Sequence, residues 1–184
     1  VTLSTIPLPF GLRDVKVTPL TGASAGTSVD LPNAQTMQFS EAEDTTQLRG
    51  DDGLVAIHGK GPTVDWQLAN GGISLEALAV INGGTVTTSG VTPNQIKTYS
   101  KKGTDSRPYF RAEGQSISDS GGDFHVVLYK CKSTGNVTGD QADGAFWVTG
   151  ASGTALPTTA DSKLYDFVQN ETATAIPANA TVDI

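Results

Sequence analysis

"WQLANGGISLEALAVINGG", residues 66–84, reads as one short helix in a chain that otherwise reads as strand and turn. Ser74 offers the side-chain oxygen of an N-cap, and Ile73 and Leu78 have the spacing of a hydrophobic staple. Asn82-Gly83-Gly84 ends the helix, because glycine takes the left-handed conformation of a C-terminal cap. The pattern predicts a helix over about 74–82, with Ile73, Leu75, Leu78 and Ala79 as its packing residues. Two turns are marginal alone, so a sheet must hold them.

Outside this stretch the apolar period is two. "TVDWQLA" (63–69) turns Val64, Trp66 and Leu68 inward and Thr63, Asp65 and Gln67 outward. Gly59-Lys60-Gly61-Pro62 is a hairpin signal joining it to "LVAIHG" (54–59). "RDVKVTPL" (13–20) and "AQTMQFS" (34–40) alternate in the same way, while "EAEDTTQLRGDDG" (41–53) is acidic and reads as a loop, or as a loop with a strand in its second half. "DFHVVLYKCK" (123–132) is apolar on both faces, so it is covered on both sides. "TVTTSG" (85–90), "NQIKTYSKKG" (94–103), "RPYFRAEGQSI" (107–117), "AFWVTG" (145–150) and "SKLYDFVQN" (162–170) complete the strands. The fold class is mainly β: a β-sandwich or β-barrel flanked by one short α-helix.

One domain is predicted over 12–170, between extended N- and C-terminal arms. The first arm, 1–11, alternates Ile6, Leu8 and Phe10 with Pro7 and Pro9, so it docks on its own domain or on a second copy. The C-terminal tail, 171–184, has few core residues and reads as mobile or extended.

The net charge of −7 gives no counter-charge for gripping phosphates, and no Lys/Arg run exceeds Lys101-Lys102. Only 17% of residues are charged, against roughly 25% in an ordinary domain. A neutral polar surface is cheap to bury against protein, which points to assembly. No stretch approaches the roughly 20 apolar residues of a membrane span.

Catalytic patterns are missing. His58 and His125 both sit in β patterns, with no nucleophile motif, phosphate loop or zinc motif beside them. Cys131 is the single cysteine and reads as a core thiol. Asp51-Asp52 and Asp140-x-x-Asp143 carry oxygen ligands without calcium-loop spacing. Trp66 alternates with core residues, whereas Trp147 is open to a stacking role. The reading is a protein without cofactor or metal, and not an enzyme.

"LRGDDGLVAIHGKGPTVDWQLANGGISLEALAVINGG", "RPYFRAEGQSISDSGGDFHVVLYKCK" and "ADSKLYDFVQNETATAIP" strongly resemble, in this order, the major tail tube proteins of long non-contractile-tailed bacteriophages. The resemblance runs from about residue 12 to residue 177. It implies a β-sandwich with one flanking helix, six copies forming a ring, and rings stacking into a hollow tube. DNA would pass through the lumen without specific binding, and an acidic channel wall would repel its phosphates. The implied location is the virion tail, and the implied partners are tape-measure, tail-terminator and tail-tip proteins. On this reading the subunit and ring contacts fall on Ile6, Leu8 and Phe10 of the arm. They also fall on Glu41, Glu43, Asp44, Arg49, Asp51 and Asp52 of the acidic segment. The competing reading is a secreted β-sandwich binding module or adhesin, or a pilin-like subunit. A small hydrolase using His58 or His125 is a third.

Overall fold

The computed structural model describes residues 6–22, 24–139 and 141–178. The strands are β1 (Pro9–Thr21), β2 (Ser24–Ala25), β3 (Val29–Asp30), β4 (Ala34–Gly50) and β5 (Gly53–Gly71), followed by α1 (Leu75–Asn82). After the helix come β6 (Thr85–Ser89), β7 (Ile96–Ser100), β8 (Tyr109–Ser118), β9 (Asp123–Ser133), β10 (Thr138–Gly139), β11 (Val148–Leu156) and β12 (Tyr165–Asn170). The chain is mainly β, with one short helix and an extensive sheet.

The main sheet runs β2-β1-β8-β9-β11-β5-β4, with β3, β10 and β12 paired to β1, β11 and β9. Among the described residues no closed barrel forms, because β4 at one end of this path pairs there only with β5. The sheet nevertheless curls round one core. Met37 of β4 lies so close to Gly114 of β8 that a Cβ there would meet its sulfur at 2.5 Å. Val15, Val17, Val64, Trp66, Leu68, Phe110, Leu128 and Cys131 fill the space enclosed. Trp66 and Phe110 meet edge to face, with centroids 5.3 Å apart. Burial pushes the Cys131 thiol well above the ordinary cysteine range, so it is an inert core group.

The helix begins and ends as its caps dictate. The Ser74 hydroxyl accepts the Ala77 N–H at 3.3 Å, and the Gly83 N–H, at φ +76°, donates to the Ala79 carbonyl. Its packing phase differs from the expectation. Ala77, Val80 and Ile81 are the buried residues, spaced i, i+3, i+4. Leu75, Leu78 and Ala79 are half-buried, and Ile73 is exposed. In a helix this apolar, hydrophobicity does not single out one face. The β6–β7 hairpin secures the helix: Lys97 pairs with Glu76 at 2.6 Å, and the Tyr99 hydroxyl donates to the Gly83 carbonyl at 2.7 Å.

Two turns read from the sequence lie elsewhere. Residues 41–53 are not a loop: β4 runs through to Gly50 and β5 starts at Gly53. The turn is Asp51-Asp52, at φ +48° and +62°, the doubly left-handed geometry of a two-residue hairpin. Gly59-Lys60-Gly61-Pro62 does not turn the chain. It is a bulge in β5, where Glu43 pairs with Pro62 but Thr45 pairs with Gly59.

β11 is longer than the apolar pattern announces, because "ASGTAL" supplies small residues where the sheet is tightest. A Cβ on Gly153 would stand 2.0 Å from the Lys132 carbonyl and 2.7 Å from the Trp66 ring. Gly153→Ala is therefore expected to cost about 1–3 kcal/mol, read as a lowered denaturant midpoint at unchanged slope.

Candidate functional site

The feature that dominates the surface is the β4–β5 hairpin. Its strands have 17 and 19 residues, far beyond an ordinary strand. Its root is embedded. Phe39 lies 5.7 Å from Tyr165 and 5.6 Å from Phe167, centroid to centroid, and the Glu41 carboxylate accepts the Tyr165 hydroxyl at 2.6 Å. That bond holds the Tyr165 phenol above its ordinary pKa. Beyond the root, from Glu41 to Thr63, every residue is exposed except half-buried Gly59. Ten residues of β4, 41–50, at roughly 3.3 Å each, make an arm about 33 Å long.

The arm has two kinds of surface. Glu41, Glu43, Asp44, Asp51 and Asp52 set five carboxylates against Arg49 and Lys60. Among them stand Leu48, Leu54, Val55 and Ile57, with exposures of 61, 49, 65 and 57%. Among the described residues, these four large apolar side chains on a two-stranded ribbon are covered only in part by their own chain. A two-stranded hairpin is also marginally stable in water, and among the described residues no strand pairs with the outer edge of β4.

The structure sorts the residues nominated from sequence. Asp44, Arg49, Asp51 and Asp52 lie along the exposed arm. Glu41 braces its root, and Glu43 folds back to accept the Gly61 N–H at 3.3 Å. Leu54, Val55 and Ile57 escaped the sequence reading because "LVAIHG" has the composition of a core strand, and Leu48 because it stands alone in the acidic run 41–53. The signal that could have exposed them was Asp51-Asp52-Gly53 set between two β-like runs.

The N-terminal arm is tied to its own domain by its backbone. The Leu8 N–H donates to the Ser118 hydroxyl at 2.9 Å, the Leu8 carbonyl accepts the Asp119 N–H, and Phe10 already belongs to β1. The side chains of Ile6, Leu8 and Phe10 nonetheless face solvent. Residues 1–5 of that arm lie outside the described residues, as do 179–184 of the tail. The described part of the tail, 171–178, docks on the domain rather than trailing from it. The Ser28 N–H donates to the Ala178 carbonyl, and Ile176 is buried.

The two histidines lie in different surroundings. His58 is exposed on the arm opposite Thr46. His125 is buried with both ring nitrogens engaged by carboxylates of its own domain, at 2.8 Å from Glu113 and 3.0 Å from Asp123. Among the described residues no group of three or more His, Cys, Asp or Glu side chains is arranged to hold a metal. Asp140 lies outside those residues. Trp66 is core, and the Trp147 ring packs over Gly139 so closely that a Cβ there would clash. No helix among the described residues is long and apolar enough to cross a membrane. No protein-family model matches the chain, and no curated protein matches it.

Proposed function

We propose that the chain is the structural subunit of a bacteriophage tail tube, assembling into six-membered rings that stack around a DNA-conducting lumen. The observation that carries this reading is the exposed hairpin arm with its apolar tip and unpaired β4 edge. Such an arm is a liability on a solitary protein and an asset in an assembly. A neighbouring copy's strand would satisfy the edge, and its apolar residues would cover Leu48, Leu54, Val55 and Ile57. A heterologous contact of this kind closes into a ring, and repeated ring on ring it extends into a tube. The sheet curled round one core, with its flanking helix, is compatible with the tail-tube β-sandwich. Six copies carry six times −7, a formal −42, so carboxylates lining a lumen would repel passing phosphates within roughly 8 Å.

Negative-stain microscopy and sedimentation of the concentrated chain test the reading. Rings of six or hollow tubes are expected, and a chain that stays monomeric at millimolar concentration and when seeded with preformed tail tips would overturn it. Leu48→Lys with Ile57→Lys is expected to abolish assembly while changing monomer stability by about 0.5 kcal/mol or less, as for exposed sites generally. Assembly that persists in this double variant would show that the apolar tip is not the contact.

The adhesin reading draws on one observation, a shallow groove of mixed polar and apolar lining that includes Gln38, Phe39, Asp65, Trp66, Gln67 and Ser152. Saturable glycan binding by a stable monomer, lost on Gln67→Ala, would favour it.

A further inference from the structure

The face of β1, β8 and β9 turned away from the core is polar and yet buried. Arg111, Glu113 and Gln115 of β8 and Asp123 and His125 of β9 are each less than a tenth exposed. Residues 171–178 cross this face. Asp123 accepts the Thr174 N–H at 2.8 Å, Gln115 donates to the Thr174 carbonyl at 3.0 Å, and Lys16 donates to the Ile176 carbonyl at 3.0 Å. With the Ser28–Ala178 bond, the segment is a strap reaching from β9 to beside β3.

The strap's principal anchor is Asp123, which is 0% exposed. Its carboxylate also accepts Gln115 at 2.6 Å, Asn170 at 2.8 Å and His125 Nε2 at 3.0 Å. His125 Nδ1 meets Glu113 at 2.8 Å, and Glu113 in turn pairs with Arg111 at 2.6 Å. The charges alternate Arg111, Glu113, His125, Asp123, and they sum to zero only while the imidazole carries both protons. A neutral imidazole has one N–H and one lone pair. Either tautomer would then aim a lone pair at a buried carboxylate oxygen and leave the cluster with an uncompensated negative charge.

We propose that the C-terminal strap is a proton-controlled latch: doubly protonated His125 keeps residues 171–178 closed over the β1–β8–β9 face, and loss of one proton lets the strap lift. The lifting element is the strap because it is held by isolated hydrogen bonds, whereas β8 and β9 are held by a ladder. The charged groups around His125 are Asp123 on its own strand, and Glu113 backed by Arg111 from β8. Further out are Lys16 and Asp14 from β1, Asp30 from β3, Asp166 from β12 and Glu171 at the strap's start. Tyr129, pushed up to about 12 by burial and by Asp166, stays protonated throughout the relevant range.

The direction follows from linkage. Burial alone would lower the His125 pKa, but the bonds to Glu113 and Asp123 outweigh it and hold it above the ordinary 6.5. A raised pKa in the closed state means that the latch contributes fully below 6.5 and is lost as pH rises through the raised value. Opening should increase by up to tenfold per pH unit between those limits and then level off. The inference concerns the single chain and does not rest on the tail-tube reading.

Hydrogen exchange of the full chain from pH 6 to pH 10, corrected for intrinsic rates, tests it. Protection at Thr174 is expected to fall as pH rises through the raised His125 value while core amides of β9 stay protected, and His125→Gln is expected to remove the pH dependence. Constant protection at Thr174 in the wild type, or an unchanged pH profile in His125→Gln, would overturn the latch. Should the variant not fold, the wild type alone decides. The His125 ring titration seen by NMR must end at the pH where Thr174 protection levels off, and a mismatch overturns the proposal.

Discussion

Replacing residues 43–62 by Asn-Gly, so that Ala42 turns directly into Thr63, should give a folded monomer that never makes rings or tubes. Ala42 and Thr63 already face each other in register, and Asn-Gly supplies the left-handed pair that a two-residue hairpin needs. The root contacts, Phe39 with Tyr165 and Phe167 and Glu41 with Tyr165, are kept. The excised residues bury nothing of their own domain apart from the half-buried Gly59, so the melting temperature should change little. The whole effect should fall on association. Burying Leu48, Leu54, Val55 and Ile57 against a neighbour would contribute about 1–2 kcal/mol for each of these partly exposed side chains. Repeated round a ring, its loss is decisive. Sedimentation and microscopy read the result, and normal tubes from the shortened chain would sink the tail-tube assignment as argued from this arm.

Asp123→Ala should be the most destabilising single substitution outside the apolar core, at about 3–5 kcal/mol, the usual cost of breaking a buried ion pair from one side. It removes the acceptor of four donors at once: the Thr174 N–H, Gln115, Asn170 and His125. Gln115 and His125 are buried away from bulk water, and His125 keeps only its contact with Glu113. Burial would by itself raise the Asp123 pKa, but the Thr174 amide and the side chains of Gln115, Asn170 and His125 hold it at about 2. A lowered pKa contributes stability above the ordinary value of 3.8, and that contribution is lost as pH falls through about 2. Chemical denaturation at pH 7 and pH 2 should therefore show a large gap between wild type and Asp123→Ala at the higher pH that narrows at the lower. A loss under 1 kcal/mol at pH 7 would mean that the buried network is not what fastens the tail.

The apolar rhythm settled much of this molecule in advance. Val15 and Val17, and Val64 with Trp66 and Leu68, are where period two placed them, since a half-buried strand must alternate whatever it pairs with; β9 departs from it, because a register shift against β8 between Phe110 and Ala112 brings Leu128 and Cys131, expected on opposite faces, into one core. The helix was legible from its caps, because Ser74 and Gly83 act through local backbone geometry. Its buried face was not: Ala77, Val80 and Ile81 were selected over Leu75 and Ala79 by what the sheet presents opposite them.

The hairpin and the strap mark the boundary more sharply. "LVAIHG" and the acidic run before it are strand and loop by composition, and only the pairing of Gly50 with Gly53 across Asp51-Asp52 makes them one exposed ribbon. Exposure belongs to the surroundings of a segment, so no pattern within it could reveal that Ile57 faces water while Val64 does not. In the same way Arg111, Glu113, Asp123 and His125 look like ordinary solvated residues along their strands, and Thr174 like part of a tail. The sequence by itself determined most of the strands, though not the course of β4 and β5 through 41–62, as well as where the helix starts and stops, and that the surface carries few charges. Tertiary structure decided which strand edge stays open and which charges are sealed beneath the strap, because both depend on long-range pairing, which local periodicity does not encode.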